Sequence, residues 1–309
     1  MQDLEKHLIT AETLPYDKSW IIRMGVFDLL GYAPLKPQVY VSEQFLEENK
    51  DKLSDDLLRL IDSLYDWQFN PLSGIRVGEA GTLYRILRFA AWKLKKPAIF
   101  QREGTLKDRP ICNDPEIVNW PLAELLTLDH NTSQWATAAV LLGNKEQLPG
   151  ERFKLDLTYE AIEHWTKTRE KGLTWVPRYD DNILLQARAF LRVLNKMPID
   201  WTPRQAEDYC FPRAFNLITP EQGAQLWPSL IGHESNRITQ MERALQQARE
   251  TGQVTTRDHR TLQAIDLLYF TQDKPLVFSD PTTVSKSWPI AQYTQFKNIA
   301  RQVPKQYLQ

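Results

Sequence analysis

Residues 78–89 read GEAGTLYRILRF: two glycines three apart, a threonine, then apolar residues at helical spacing with an arginine one turn in. Leu83, Ile86, Leu87 and Ala90 fall at i, i+3, i+4 and i+7, which predicts one apolar helix face. A loop with so little bulk lets backbone N–H groups approach a ligand closely, and the positive end of the helix dipole favours negative charge there. The stretch therefore predicts a strand-to-helix turn that holds an anion. On its own, a glycine-rich helix start is more often a plain turn.

The same plan recurs on both sides. NTSQWATAAVLLG, 131–143, places Trp135, Ala138, Ala139 and Leu142 on one face with Gly143 closing the helix. DKSWIIRMGVFDLLG, 17–31, has an apolar stripe of Ile22, Val26 and Leu29, and Gly31 stands where a C-cap belongs. LSDDLLRLIDSL, 53–64, offers Ser54 as a cap, Asp55 and Asp56 for the positive helix start, and Leu57, Leu60, Ile61 and Leu64 in register. Further on come HESNRITQMERAL, 233–245, with Ile238, Met241 and Leu245; RDHRTLQAIDLLYF, 257–270, with Asp258 as N-cap; and VSKSWPIAQYTQF, 284–296, with Ser285 as N-cap. Strand candidates are PQVYVS, 37–42, PAIFQ, 97–101, and KPLVFSD, 274–280. Helix starts spaced roughly 50 to 65 residues apart in the first half are too far apart for a solenoid and suit βα-containing repeats. The fold class that follows is α/β (α+β). KMPIDWTPR, 196–204, marks a boundary near residues 195–203, and LPYD, 14–17, a second break.

With 309 residues, 42% hydrophobic and 25% charged, the chain has the balance of a globular protein of about two domains. A formal charge of -1 supplies no global field for nucleic acid or a membrane surface, so any basic site must be a local cluster. Cys112 and Cys210 lie far apart with no CxxC or Cys/His ligand spacing, which predicts unpaired thiols and neither a disulfide framework nor a structural metal. The N-terminal MQDLEKHLITAETL lacks the apolar run of a signal peptide and no segment reaches the ~18 apolar residues of a membrane span, so the expected location is cytoplasmic. His7, His130 and His164 have no partner at metal-ligand spacing, HESNR is not HExxH, and neither GxSxG nor a phosphate-loop lysine occurs. Ten tryptophans and eleven tyrosines without a basic excess read as core filling rather than a base-stacking surface.

Cations at or within two turns of these helix starts, Lys18, Arg23, Arg85, Arg237, Arg260 and Lys286, raise the anion reading. Should the helix ends converge, the ligand carries several negative charges, such as two phosphates or a phosphate and a carboxylate. For any one of these residues alone the ordinary expectation is a solvated surface charge.

Lys18-Ser19 with Arg23, GEAGT with Arg85, KDRPI at 107–111, TSQ at 132–134, HESNRI at 233–238, DHR at 258–260 and DPTTVSKSWP at 280–289 stand in one order along the chain. Together they resemble the enolpyruvyl transferases, of the 3-phosphoshikimate 1-carboxyvinyltransferase (EPSP synthase) type, from about residue 14 to residue 290. The resemblance implies two similar domains of βαβαββ repeats around an interdomain cleft, with residues 16–199 as the N-terminal-type domain and residues 1–15 with 200–309 as a reduced C-terminal-type domain. It implies transfer of the carboxyvinyl group of phosphoenolpyruvate to the hydroxyl of shikimate 3-phosphate with release of phosphate, without metal or organic cofactor. Its partners are then these small anions, with no nucleic acid and no membrane, and the assembly a monomer or homodimer.

Carried over residue by residue, Lys18 sits on the reacting enolpyruvate and Glu234 serves in proton transfer. Ser19 and Arg23 hold the acceptor's ring hydroxyl and carboxylate, Thr132 and Ser133 its phosphate, and Gln134 touches both substrates. Phosphoenolpyruvate is clamped by Arg85, Arg237, Arg260 and Lys286, with Gly81 in close backbone contact. Departures fall within the site: Glu79 replaces an asparagine, Thr105 an arginine with Arg102 and Lys107 nearby, His233 a lysine and Asn236 an aspartate. The family's aspartate that takes the acceptor proton falls in a repeat missing before HESNRI. These departures leave two further readings open: the same reaction on another alcohol, or a catalytically inactive anion-binding relative.

Overall fold

The computed structural model describes residues 10, 12–30, 41–146, 155–173, 175–199, 209–232 and 236–307. It is a mixed, helix-rich chain with few strands, divided into a first unit, Tyr16–Arg178, and a second unit, Met1–Pro15 with Tyr179–Gln309.

The first unit opens with α1, Lys18–Leu30, whose start is capped by Asp17: its Oδ1 accepts from the Ser19 and Trp20 amides at 2.8 and 3.1 Å. The stripe expected on this helix is replaced by burial of every residue from Trp20 to Asp28, because α1 is the central element of its core. Asp28 is tolerated there because both oxygens are used, by Trp165 Nε1 at 2.8 Å and Trp175 Nε1 at 3.0 Å. α2, Val41–Glu48, begins on the last two residues of the expected strand PQVYVS, and 37–40 lie outside the described residues, as does Gly31. α3, Asp55–Phe69, buries Leu57, Leu60 and Leu64 as its spacing predicts, but the Ser54 hydroxyl makes no capping bond and is buried without a hydrogen-bond partner among the described residues.

The quoted stretch lies in a βαβ unit. β1, Ile75–Gly78, leads into α4, Gly81–Lys93, and the chain returns in β2, Phe100–Arg102, parallel to β1 with Ile75 opposite Phe100 and Gly78 opposite Arg102. Parallel neighbours need a crossover, and α4 supplies it. One-turn helices at Gly104–Lys107, Leu122–Leu125 and Leu128–Asn131 precede α5, Gln134–Leu141, buried from Trp135 onward; Gly143 then turns the chain, its amide bonded to the Val140 carbonyl. α6, Asp156–Glu170, completes this core.

In the second unit, α7, Asp181–Leu194, places Ile183, Ala187 and Phe190 in a core shared with α8, Cys210–Ala214, and α10, Arg237–Thr251. Between these last two lies α9, Pro220–Leu226, held by a capping box of Thr219 and Gln222. A second βαβ unit follows: β3, Gln253–Val254, α11, His259–Thr271, and β4, Val277–Phe278, parallel to β3. α7 and α11 run in the same direction: Asp180 meets Arg260 at their starts and Phe190 meets Phe270 near their ends, ring centroids 5.8 Å apart. α12, Ile290–Tyr307, starts after Pro289; Ser285 is no cap for it but lies inside a 3-10 turn, Pro281–Lys286, donating to the Thr282 carbonyl. Trp288 Nε1 and Gln292 Nε2 donate to the Thr13 and Leu14 carbonyls, which ties the N-terminal segment into this unit. No helix among the described residues is long and apolar enough to cross a membrane.

Candidate functional site

In the first unit, the turn between β1 and α4 is the centre of a polar cluster. No side chain caps α4 and its first turn holds no acid. A Cβ on Gly81 would lie 3.1 Å from Nη1 of both Arg85 and Arg109, so glycine lets two guanidinium groups close on the helix start. Arg109 belongs to the KDRPI motif, yet its sequence context assigned it no role; the signal lay in its chain position after Gly104, visible only once β2 returns beside β1.

Arg85 is 1% exposed. Its Nε donates to Asp129 Oδ2 at 2.7 Å and its Nη1 to Gln134 Oε1 at 2.7 Å. Asp129 also accepts from Trp135 Nε1 at 2.8 Å and from the Cys112 amide at 2.9 Å, and it sits at a left-handed φ of 47°. Three donors on one buried carboxylate, held in a conformation that costs an L-residue energy, make Asp129 the hub of the cluster. Sequence patterning missed it, since its partners are 44 residues away for Arg85 and 17 for Cys112.

Lys18 and Arg23 share α1. Lys18 Nζ pairs with Asp56 Oδ2 at 2.7 Å on α3. Arg23 is buried and, among the described residues, bonded only to neutral oxygens: the Ser19 carbonyl at 2.8 Å, Thr158 Oγ1 at 3.0 Å and Thr137 Oγ1 at 3.4 Å. Burial without an adjoining carboxylate lowers its pKa to about 10, against a weaker opposing pull from Asp17. Thr137 stands one turn beyond Gln134, so the first turns of α5 receive Arg85 at Gln134 and Arg23 at Thr137. Thr132 Oγ1 accepts from the Gln134 amide at 3.4 Å, and the Ser133 side chain makes no capping bond. The structure thus brings Arg23 of α1 and Arg85 of α4 onto α5, at Thr137 and Gln134, with Ser19 bonded to Arg23 through its carbonyl and Gly81 beside Arg85.

Two of the four departures named above, Glu79 and Thr105, meet each other. Glu79 Oε2 accepts from the Thr105 hydroxyl at 2.8 Å and its amide at 3.3 Å, and Thr105 Oγ1 also accepts from Arg109 Nη2 at 3.0 Å. A Cβ on Gly104, where φ is 45°, would lie 1.9 Å from Glu79 Oε1, so glycine makes room for the carboxylate.

In the second unit the expected anion clamp is already neutralised. Arg237 Nε donates to Asp258 Oδ2 at 2.9 Å and Arg260 Nη2 to Asp180 Oδ2 at 3.0 Å, all four side chains at most 8% exposed. Each aspartate spends its other oxygen on a helix start: Asp258 accepts from the Thr261 amide at 3.0 Å and Asp180 from the Ile183 amide at 2.9 Å. Against a desolvation that by itself raises its pKa, the Arg237 charge and these bonds hold the Asp258 carboxyl well below the usual range. Cys210 lies buried within the field of Asp258, Arg237 and Arg260, and burial pushes its thiol up to about 12. Lys286 ends the 3-10 turn and is half-buried; Glu234 and His233 lie outside the described residues. Among the described residues no three His, Cys, Asp or Glu side chains come together as a metal site.

The chain was compared with family models, curated proteins and solved structures. None of them matches. The site consists of an uncapped helix start with two guanidinium groups against Gly81, and a third guanidinium, Arg23, held by neutral groups that include Thr137, one turn beyond Gln134 on α5.

Proposed function

We propose that the chain is an enolpyruvyl-transferase-like protein that moves the carboxyvinyl group of phosphoenolpyruvate to the hydroxyl of shikimate 3-phosphate, on a shortened version of the two-domain βαβαββ fold. One observation carries the reading: α5 holds Arg85 at Gln134 and Arg23 at Thr137, so residues assigned to the donor and residues assigned to the acceptor share one frame. Arg23, with neutral partners, suits a ligand carboxylate, and Gly81 with Arg85 and Arg109 suits a phosphate at the α4 start. Addition of the acceptor hydroxyl to C2 of phosphoenolpyruvate needs a base for the hydroxyl proton and an acid that protonates C3; elimination then breaks the C2–O bond to phosphate and returns the double bond as C3 gives a proton back to a base. Glu234 is the residue assigned to proton transfer and Lys18 to the reacting enolpyruvate; Thr132 and Ser133 are assigned to the acceptor phosphate, and Arg237, Arg260 and Lys286 to the donor.

A second reading, ligand binding without turnover, is favoured by Asp129 and Glu79, which bring two carboxylates into the same cluster as Arg85 and Arg109. Phosphate release from phosphoenolpyruvate by the purified protein, with and without shikimate 3-phosphate and with mass detection of the product, separates the two. Acceptor-dependent release with formation of the carboxyvinyl ether, abolished in Lys18→Met, is the expected result. A folded protein that releases no phosphate, yet is raised in melting temperature by either substrate, would replace the transferase by a binding protein. Release with another alcohol alone would move the acceptor.

A further inference from the structure

The second unit carries a cavity of about 370 Å³ between the end of α11 and α12, lined by Asp266, Phe270, Asp273, Lys274, Pro275, Leu276, Lys297 and Arg301. Its volume falls in the range of small-ligand pockets, and none of these residues belongs to the constellation at Gly81 or to the cations paired with Asp180 and Asp258.

Its floor is apolar: the Phe270 ring with Pro275 and Leu276. Its charges fall into two sets. Asp266 is used internally, since its Oδ2 accepts from Lys297 Nζ at 2.6 Å and from the Tyr293 hydroxyl, so Lys297 and Asp266 cancel. Lys274, Arg301 and Asp273 make no ion pair among the described residues and stand at the exposed rim, leaving one net positive charge. The Arg301 guanidinium lies 4.7 Å from the Phe270 ring centroid and Lys297 Nζ lies 5.4 Å from it, so both cationic heads stand against the aromatic ring. A guanidinium propped on a ring presents a flat, fixed donor edge, which matches the two oxygens of a carboxylate or phosphate.

We propose that this cavity is a binding site for a small organic anion, a carboxylate or phosphate monoester carrying a ring or comparable apolar body. The anionic head sits on Arg301 and Lys274, and the body lies on Phe270, Pro275 and Leu276. The helix end contributes little against it, because the Tyr269 and Phe270 carbonyls already accept from the amides of residues 272–274.

The test is calorimetric titration of the full chain with phenyl phosphate, with inorganic phosphate and benzylamine as comparison probes. Saturable one-to-one binding of phenyl phosphate is expected, with inorganic phosphate weaker by about tenfold and benzylamine not bound. Arg301→Gln and Lys274→Gln, both at exposed positions and each checked for an unchanged circular dichroism spectrum, are expected to weaken phenyl phosphate several-fold singly and by about tenfold or more together. Arg109→Gln is expected to leave this binding unchanged, which separates it from the helix start at Gly81. No saturable binding, preference for benzylamine, or binding lost in Arg109→Gln but indifferent to Arg301→Gln would each overturn the proposal.

Discussion

The two βαβ units have the same parts in the same order and treat their helix starts in opposite ways. In the first, α4 begins at Ala80-Gly81 with no side-chain cap, and cations gather at it. In the second, α11 begins at Asp258, whose carboxylate caps the helix and takes Arg237, while Asp180 does the same for α7 and Arg260. A capped start of the second kind already contains its anion. A start of the first kind keeps its field available for one that arrives from solution.

The largest effect expected from breaking this contrast is at Arg85. Arg85→Met leaves Asp129 charged, buried and without its cation, and should lower the unfolding free energy by about 3–5 kcal/mol, read from the denaturant midpoint. The neighbouring Arg23 should behave otherwise. Its carriers are neutral, and Thr137 and Thr158 already share a hydrogen bond of 3.1 Å that remains once it is gone, so Arg23→Met should cost about 1 kcal/mol or less. A loss as large as that of Arg85→Met would mean that Arg23 is held by more than these oxygens.

A smaller difference sharpens the second unit. Asp258→Asn retains a capping oxygen for Thr261 and Asp258→Ala does not, so the two variants should differ by about 1 kcal/mol, the ordinary worth of an N-cap. The charge itself is read by pH. Because the folded-state pKa of Asp258 is depressed, its stabilisation is complete above the unfolded carboxylate value of ~3.9 and is lost as pH falls through the lower folded value. The stability gap between the parent and Asp258→Asn should therefore hold from pH 7 to about pH 4 and narrow below it; a gap that closes near neutrality would contradict the ion pair.

The smallest change is at Gly81. Gly81→Ala must push two flexible guanidinium ends by a few tenths of an ångström, so stability should move by less than about 1 kcal/mol. The rise in melting temperature with added phosphoenolpyruvate should shrink markedly. An undiminished rise would place the ligand away from α4.

Local features were legible from the residues in order. The apolar spacing of α3 and α4, the Asp258 cap and the glycine closing α5 depend on neighbours within one or two turns, where periodicity and capping chemistry decide. Ser54 and Ser285 show the limit of that logic: the right residue stands near a helix start, but its hydroxyl ends up unbonded or turned to a local carbonyl. The expected strands were legible as apolar runs, yet only two residues of PAIFQ and two of KPLVFSD pair, the first strand running on to Arg102, and Val41 and Ser42 enter a helix.

By itself the sequence determined the alternation of strand, small-residue turn and helix, and the placing of a cation beside each turn, because those properties are carried by residues close together in the chain. Only the tertiary structure decided which cations are already answered. Asp129 reaches Arg85 across 44 residues and Asp180 reaches Arg260 across 80, and a carboxylate that distant becomes a partner only when folding removes both charges from water and leaves each as the other's best neighbour.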